Sequence, residues 1–212
     1  MLASVTPPPP HVLADAARAI GQGLLVVLPT DTVYGLAADP FQKAATSRLF
    51  AAKGRPKDLA LPVLVADRAA ARELVADWPE QAETLARAFW PGPLTIILPA
   101  RPTPRLHLGS TSGTVGLRQP DHPATLALLR RTGPLAVSSA NQSGQPPVLT
   151  AADAVQVFGP AVAVYVDGGQ APGPVASTVV DLTGREVRLV RAGPVSQDDL
   201  MAALPGRAGV AG

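Results

Sequence analysis

The chain has 212 residues, a length that fits one hydrophobic core, and 47% of them are hydrophobic, enough to fill it. Eighteen basic residues against sixteen acidic ones give a formal net charge of +2 with no basic run, which argues against an extended nucleic-acid surface. The absence of cysteine excludes disulfides, thiolate catalysis and cysteine-ligated zinc, and His11, His107 and His122 show no metal-ligand spacing, so no metal site is expected.

Residues 1–10, with Pro7–Pro10, read as a flexible extended leader. A helical period over Val12–Ile20 ends at Gly21 and Gly23, and the apolar run Leu24–Leu28, stopped by Pro29, reads as a buried strand. A helix follows over Lys43–Ala52, closed by Gly54, and then a strand over Leu61–Val65. Helical stretches cover Arg68–Ala76 and Glu80–Phe89, and Leu94–Leu98 is a third strand. Arg101–Gly113 has no period and reads as a mobile loop of the length that usually serves function.

Strand Val115–Arg118, helix Ala124–Arg131 and strand Leu135–Ser138 come next, the last running into Ser139-Ala140-Asn141. Thr150-x-x-Asp153 and Ser196-x-x-Asp199 have the form of capping boxes, opening helices to Phe158 and to about Leu204. Strands Val162–Val166, Thr178–Leu182 and Val187–Val190 lie between them, and residues 205–212 read as a frayed tail. The pattern predicts one α/β domain over residues 11–204, a mixed sheet with packed helices. No apolar run approaches the roughly 20 residues of a membrane helix, and no targeting segment is visible, so a cytoplasmic location is expected.

Polar residues cluster where the buried runs end, the usual place for ligands in α/β folds. Neither a P-loop nor a G-x-G-x-x-G stretch occurs. Gly109–Gly113 departs from a nucleophile elbow, because Thr111 stands at its centre. Lys53 and Arg55, two apart at a helix end, could converge on a polyphosphate or cap a solvated terminus. Arg118, at the end of an apolar strand, could clamp an anion or form a structural ion pair. Ser139 and Asn141 fit either ligand contacts or an ordinary turn. Asp31, the lone carboxylate of Pro29–Leu36, could hold a metal or orient an amine, and Tyr34 could be core.

Six stretches occur in order: Leu28–Leu36, Lys53-Gly54-Arg55-Pro56, Trp90–Thr95, Val115–Arg118, Ser138-Ser139-Ala140-Asn141-x-Ser143-Gly144 and Ser177–Asp181. Together they strongly resemble the YrdC-like family of L-threonylcarbamoyladenylate synthases, over roughly Val12 to Leu204. The resemblance implies a single-domain fold, a twisted mixed parallel and antiparallel sheet with flanking helices around a large concave cationic pocket. It also implies that Lys53 and Arg55 are the catalytic cations. With Thr114, Ser139, Asn141 and Arg191 they would bind ATP, while Thr32, Arg118 and Ser177 would bind threonine.

The substrates so implied are L-threonine, bicarbonate and ATP with Mg²⁺. The implied product, threonylcarbamoyl-AMP, would pass to the machinery that makes N6-threonylcarbamoyladenosine at position 37 of tRNA, with a weak contact to tRNA itself compatible with that role. One departure stands out. Where the family often has Asn-Pro and a histidine after Arg-Pro, this chain reads Lys57-Asp58-Leu59-Ala60-Leu61. A second reading is a paralogous RNA-binding or ribosome-associated module without synthase activity. A third, the carbamoyl-adenylate module of larger hydrogenase-maturation proteins, would need flanking regions for which 212 residues leave no room.

Overall fold

The computed structural model describes residues 8–184 and 186–204. Helix α1 (Pro10–Gly21) starts inside the predicted leader, because proline's fixed φ suits a first turn that needs no amide donor. The expected leader therefore ends at Pro9. Its residues 1–7 and the expected tail 205–212 lie outside the described residues.

The strands are β1 (Val26–Leu28), β2 (Gly35–Ala38), β3 (Val63–Leu64), β4 (Leu94–Pro99), β5 (Thr114–Arg118), β6 (Leu135–Ser139), β7 (Val164–Tyr165), β8 (Thr178–Asp181) and β9 (Arg188–Arg191). Among the described residues they form one sheet in the order β7-β1-β2-β6-β3-β5-β4-β8-β9. The pairs β1–β7, β3–β5 and β4–β8 are parallel and the others antiparallel, as expected of a mixed sheet. Strand β2 was not anticipated. Its sequence, Gly-Leu-Ala-Ala, lacks β-branched residues, and pairing with β1 on one side and β6 on the other holds it extended.

The remaining helices are α2 (Lys43–Lys53), α3 (Arg68–Arg72), α4 (Glu80–Phe89), α5 (Pro123–Thr132), α6 (Ala151–Phe158) and α7 (Gln197–Ala203). Alternation along the strands divides two cores. Leu25, Val27, Leu36, Val63, Ile96 and Leu117 join Leu49 of α2, Leu85 of α4, Phe158 of α6 and Leu200 of α7 on one face. Val26, Leu28, Ala37, Leu64 and Val137 join Leu13 and Ile20 of α1 with Leu128 of α5 on the other.

The pairing register extends that second face across the sheet. Leu64 lies opposite Arg118, Gly116 opposite Ile97, Thr95 opposite Val179, and Val179 opposite Arg191. Helices α1 and α5 pack over the β1, β2 and β6 side, where Val26, Leu28, Ala37 and Val137 meet them. Beyond β3 the row turns polar and borders open clefts.

Candidate active site

Two adjoining clefts occupy this open part of the face. One, about 130 Å³, is bordered by Thr32, Arg118, Ser139, Ser177, Arg55 and Arg191. The other, about 180 Å³, is bordered by Thr114, Gly116, Ile97 and Val179, and shares Arg55, Pro62, Thr95 and Arg191 with the first. The structure thus gathers seven of the nine residues singled out from sequence around one concavity, from β5, β6, β9 and the loops next to the strands. Lys53 and Asn141 stand behind it.

Arg118 is almost wholly buried at the end of β5. Its Nε donates to the carbonyl of Gly92 at 3.0 Å, Nη1 to Thr32 Oγ1 at 3.0 Å and Nη2 to Asp31 Oδ1 at 2.5 Å. The ion pair left open by the sequence exists, and it fixes the guanidinium without exhausting it, since each Nη keeps a second N–H. Asp31 Oδ1 also receives the backbone N–H of Asp121 at 3.0 Å. Thr30 Oγ1 sits 3.0 Å from Thr32 Oγ1 and donates to the carbonyl of Val33 at 2.6 Å, holding the Thr30–Val33 turn in shape. Tyr34 is core: its hydroxyl donates to the carbonyl of Gly169 at 2.6 Å.

Arg191, on edge strand β9, folds back over β8. Its Nε and Nη2 both donate to the carbonyl of Ser177, at 3.0 and 2.7 Å, and Nη2 lies 3.1 Å from Ser177 Oγ. Ser177 Oγ in turn pairs with Thr95 Oγ1 at 2.8 Å. In the sequence Thr95 stands out only as the last residue of the Trp90–Thr95 stretch. Its signal was a hydroxyl at an alternate position of an otherwise apolar strand, the position that points to the cleft. Gly193, two residues on from Arg191, leaves no space for a Cβ, whose nearest neighbour would be the Thr178 nitrogen at 2.4 Å.

Arg55 follows the left-handed Gly54 that ends α2, and its Nε and Nη2 donate to the carbonyls of Leu59 and Ala60, both at 3.0 Å. Burial, and then the charges of Arg118 and Arg55, press the Arg191 guanidinium below its ordinary range. Burial does the same to Arg118, partly offset by Asp31. Three guanidiniums therefore share one cavity, and among the described residues no carboxylate borders either cleft, an arrangement that favours an anion carrying several charges.

Lys53 occupies a different position. It is 2% exposed, and its Nζ donates to the carbonyl oxygens of Ser139 and Asn141, both at 2.5 Å. Asn141 Nδ2 is spent on the carbonyls of Gln142 and Gln145, both at 2.7 Å, while its Oδ1 is buried without a partner. The loop 101–113 is also less free than its sequence implied. His107 N bonds the Pro40 carbonyl at 2.8 Å, Leu61 N the Leu108 carbonyl at 2.9 Å and Ser110 N the Lys57 carbonyl at 2.8 Å. Leu108 is fully buried, so the loop is anchored at its middle.

The Sua5/YciO/YrdC family model, described as "Telomere recombination", matches residues 18–193. A Mycobacterium tuberculosis protein is 47% identical over 186 residues, which cover 88% of this chain and 86% of its own. The threonylcarbamoyl-AMP synthase of Bacillus subtilis is 39% identical over 91% of this chain and 56% of its own. Among solved structures, Sua5 of Pyrococcus abyssi complexed with L-threonine superposes with a TM-score of 0.86 and 37% identity, over 92% of this chain and 57% of that one. The chain thus spans a little over half the length of these last two relatives. Escherichia coli YciO, 23% identical with a TM-score of 0.85, shares the fold.

Proposed function

The chain belongs to the Sua5/YciO/YrdC family, and from that premise we propose that it is a threonylcarbamoyl-AMP synthase, joining L-threonine, bicarbonate and ATP and releasing pyrophosphate. The observation that carries the reading is the convergence of Arg55, Arg118 and Arg191 on the half of the sheet face that, among the described residues, no helix covers. The names of the relatives favour the synthase over the RNA-binding alternative.

Threonine would lie in the smaller cleft. Its carboxylate would take the free N–H groups of Arg118, with Thr32 and Ser177 alongside. ATP would lie against Thr114, Ser139 and Arg191, its phosphates toward Arg55. Two positive groups on either side of the phosphates offset charge as it shifts to the leaving pyrophosphate, which is most of what such transfers ask of a protein. In bond terms, threonine's nitrogen forms a carbamate with bicarbonate, with loss of water. A carbamate oxygen then attacks the α-phosphorus as the bond to the β-phosphate oxygen breaks. Mg²⁺ would enter bound to the phosphates of ATP. Transfer of the product to tRNA by a second protein completes the proposed role, in the cytoplasm.

Pyrophosphate release from ATP should require both threonine and bicarbonate. Release that persists at the same rate without threonine would remove the proposal.

A further inference from the structure

Lys53 sits next to the cleft and does not border it. Four bonds join the end of α2 to the last residue of β6 and the loop after it. Lys53 Nζ donates to the carbonyls of Ser139 and Asn141, the Lys53 carbonyl accepts from Ser143 N at 2.8 Å, and Gln142 Nε2 donates to the Ala52 carbonyl at 3.0 Å. Two of the three donors of the ammonium are consumed by backbone oxygens of a single loop. That loop presents Ser139 at the cleft wall, and its own side chains close it through Asn141. Arg55, two residues on and past the left-handed Gly54, is the member of the pair that borders both clefts.

We infer that Lys53 is a positioning residue which holds the 139–143 loop in its ligand-ready shape, and that Arg55 alone of the Lys-x-Arg pair meets the phosphates. The inference rests on the ATP-site reading above but assigns the two cations separate duties. Burial first, and the nearby Arg55 charge second, bring Lys53 down to about 8, which fits an amine turned toward carbonyl oxygens and away from phosphate. Its neutral form still has two N–H groups for the same two carbonyls, so the brace survives deprotonation.

Lys53→Met keeps length and removes the donors. Hydrogen exchange of the ligand-free protein should then show amides of 139–143 exchanging at least tenfold faster, with the strands unchanged. Nucleotide titration of the same variant should weaken ATP and AMP by a common factor of about ten, leaving their affinity ratio as in the wild type. Arg55→Met should instead collapse that ratio. A Lys53→Met protein that binds AMP normally and ATP poorly, with its loop still protected, would overturn the inference. Should the variant not fold, the wild-type chain labelled at lysine Nζ answers instead: the Lys53 signal must respond alike to AMP and ATP, and a response to ATP alone refutes the assignment. A wild-type chain that binds neither nucleotide would sink the synthase reading, and loop exchange would then decide the role of Lys53 alone.

Discussion

A buried arginine needs its charge answered, and Asp31 answers that of Arg118. Their side chains are 13% and 7% exposed, so solvent screens the pair little. Asp31 Oδ2 is buried without a partner, so the carboxylate spends one oxygen on Arg118 and the Asp121 amide and keeps the other in reserve. Removing the carboxylate leaves Arg118 uncompensated, and Asp31→Ala should cost about 3 kcal/mol in chemical unfolding. Asp31→Asn keeps the shape but weakens a charge-assisted bond. It should raise the threonine KM about tenfold, the worth of one such bond, with the ATP KM nearly unmoved. Equal shifts in both constants would mean that Asp31 does not act through the threonine subsite. From the sequence Asp31 was a lone acid without an assigned partner, because the residues that define its role lie 87 and 90 positions away.

At the scale of elements, local chemistry decided what could be read in advance. Helix α4 follows its 3.6-residue period and was predicted with its bounds intact, and Thr150 and Ser196 cap α6 and α7 with their side chains as the Thr-x-x-Asp and Ser-x-x-Asp patterns required. Strand β2 was missed because its extension comes from neighbours, not from its own residues. The hydrogen-bond partners of Lys53 were not legible for the same reason, since they are backbone oxygens 86 and 88 positions away, whereas the bonds of Asn141 to Gln142 and Gln145 are the local turn its residue type allowed.

Another tertiary device was equally silent. Glu83 of α4 receives Trp78 Nε1 at 2.9 Å, Arg87 Nε at 2.8 Å, Arg72 Nη2 at 2.6 Å and Arg68 Nη1 at 3.0 Å, tying α3 to α4. The Trp78 bond, then those of Arg87 and Arg72, hold its carboxyl at about 2, below the usual 4.5. Because the folded-state value is depressed, the stabilisation is complete above the unfolded value and disappears as pH falls toward 2. The arginines are partly exposed, which limits the gain, so Glu83→Gln should cost about 1–2 kcal/mol at pH 7. Urea unfolding at pH 7 and at pH 2.5 should show the gap between wild type and variant closing.

For the molecule as a whole, the site exists because one face of the sheet is only partly roofed. Strands β3, β4, β5 and β8 send alternate residues to a helix-covered core and to the clefts, so the same period that builds the core builds the cleft wall. Gly116 belongs to the cleft-facing set of β5, between Val115 and Leu117 of the core. A Cβ there would lie 3.3 Å from Thr95 Cγ2 and 3.6 Å from Ile97 Cγ1, with the rest of a side chain free to rise into the 180 Å³ cleft. Valine is favoured in strands and glycine is not, so Gly116→Val should leave the unfolding free energy within about 1 kcal/mol of wild type. Its isopropyl group would occupy space proposed for the nucleotide, and ATP affinity measured by titration should fall at least tenfold, roughly the 1.4 kcal/mol that such a factor represents. Threonine affinity should fall less, because the Arg118, Thr32 and Ser177 groups border the other cleft. If Gly116→Val bound ATP as well as the wild type while staying folded, the nucleotide would have to lie off the open half of this sheet, and the division of the face into a roofed core and an exposed site would lose its functional meaning.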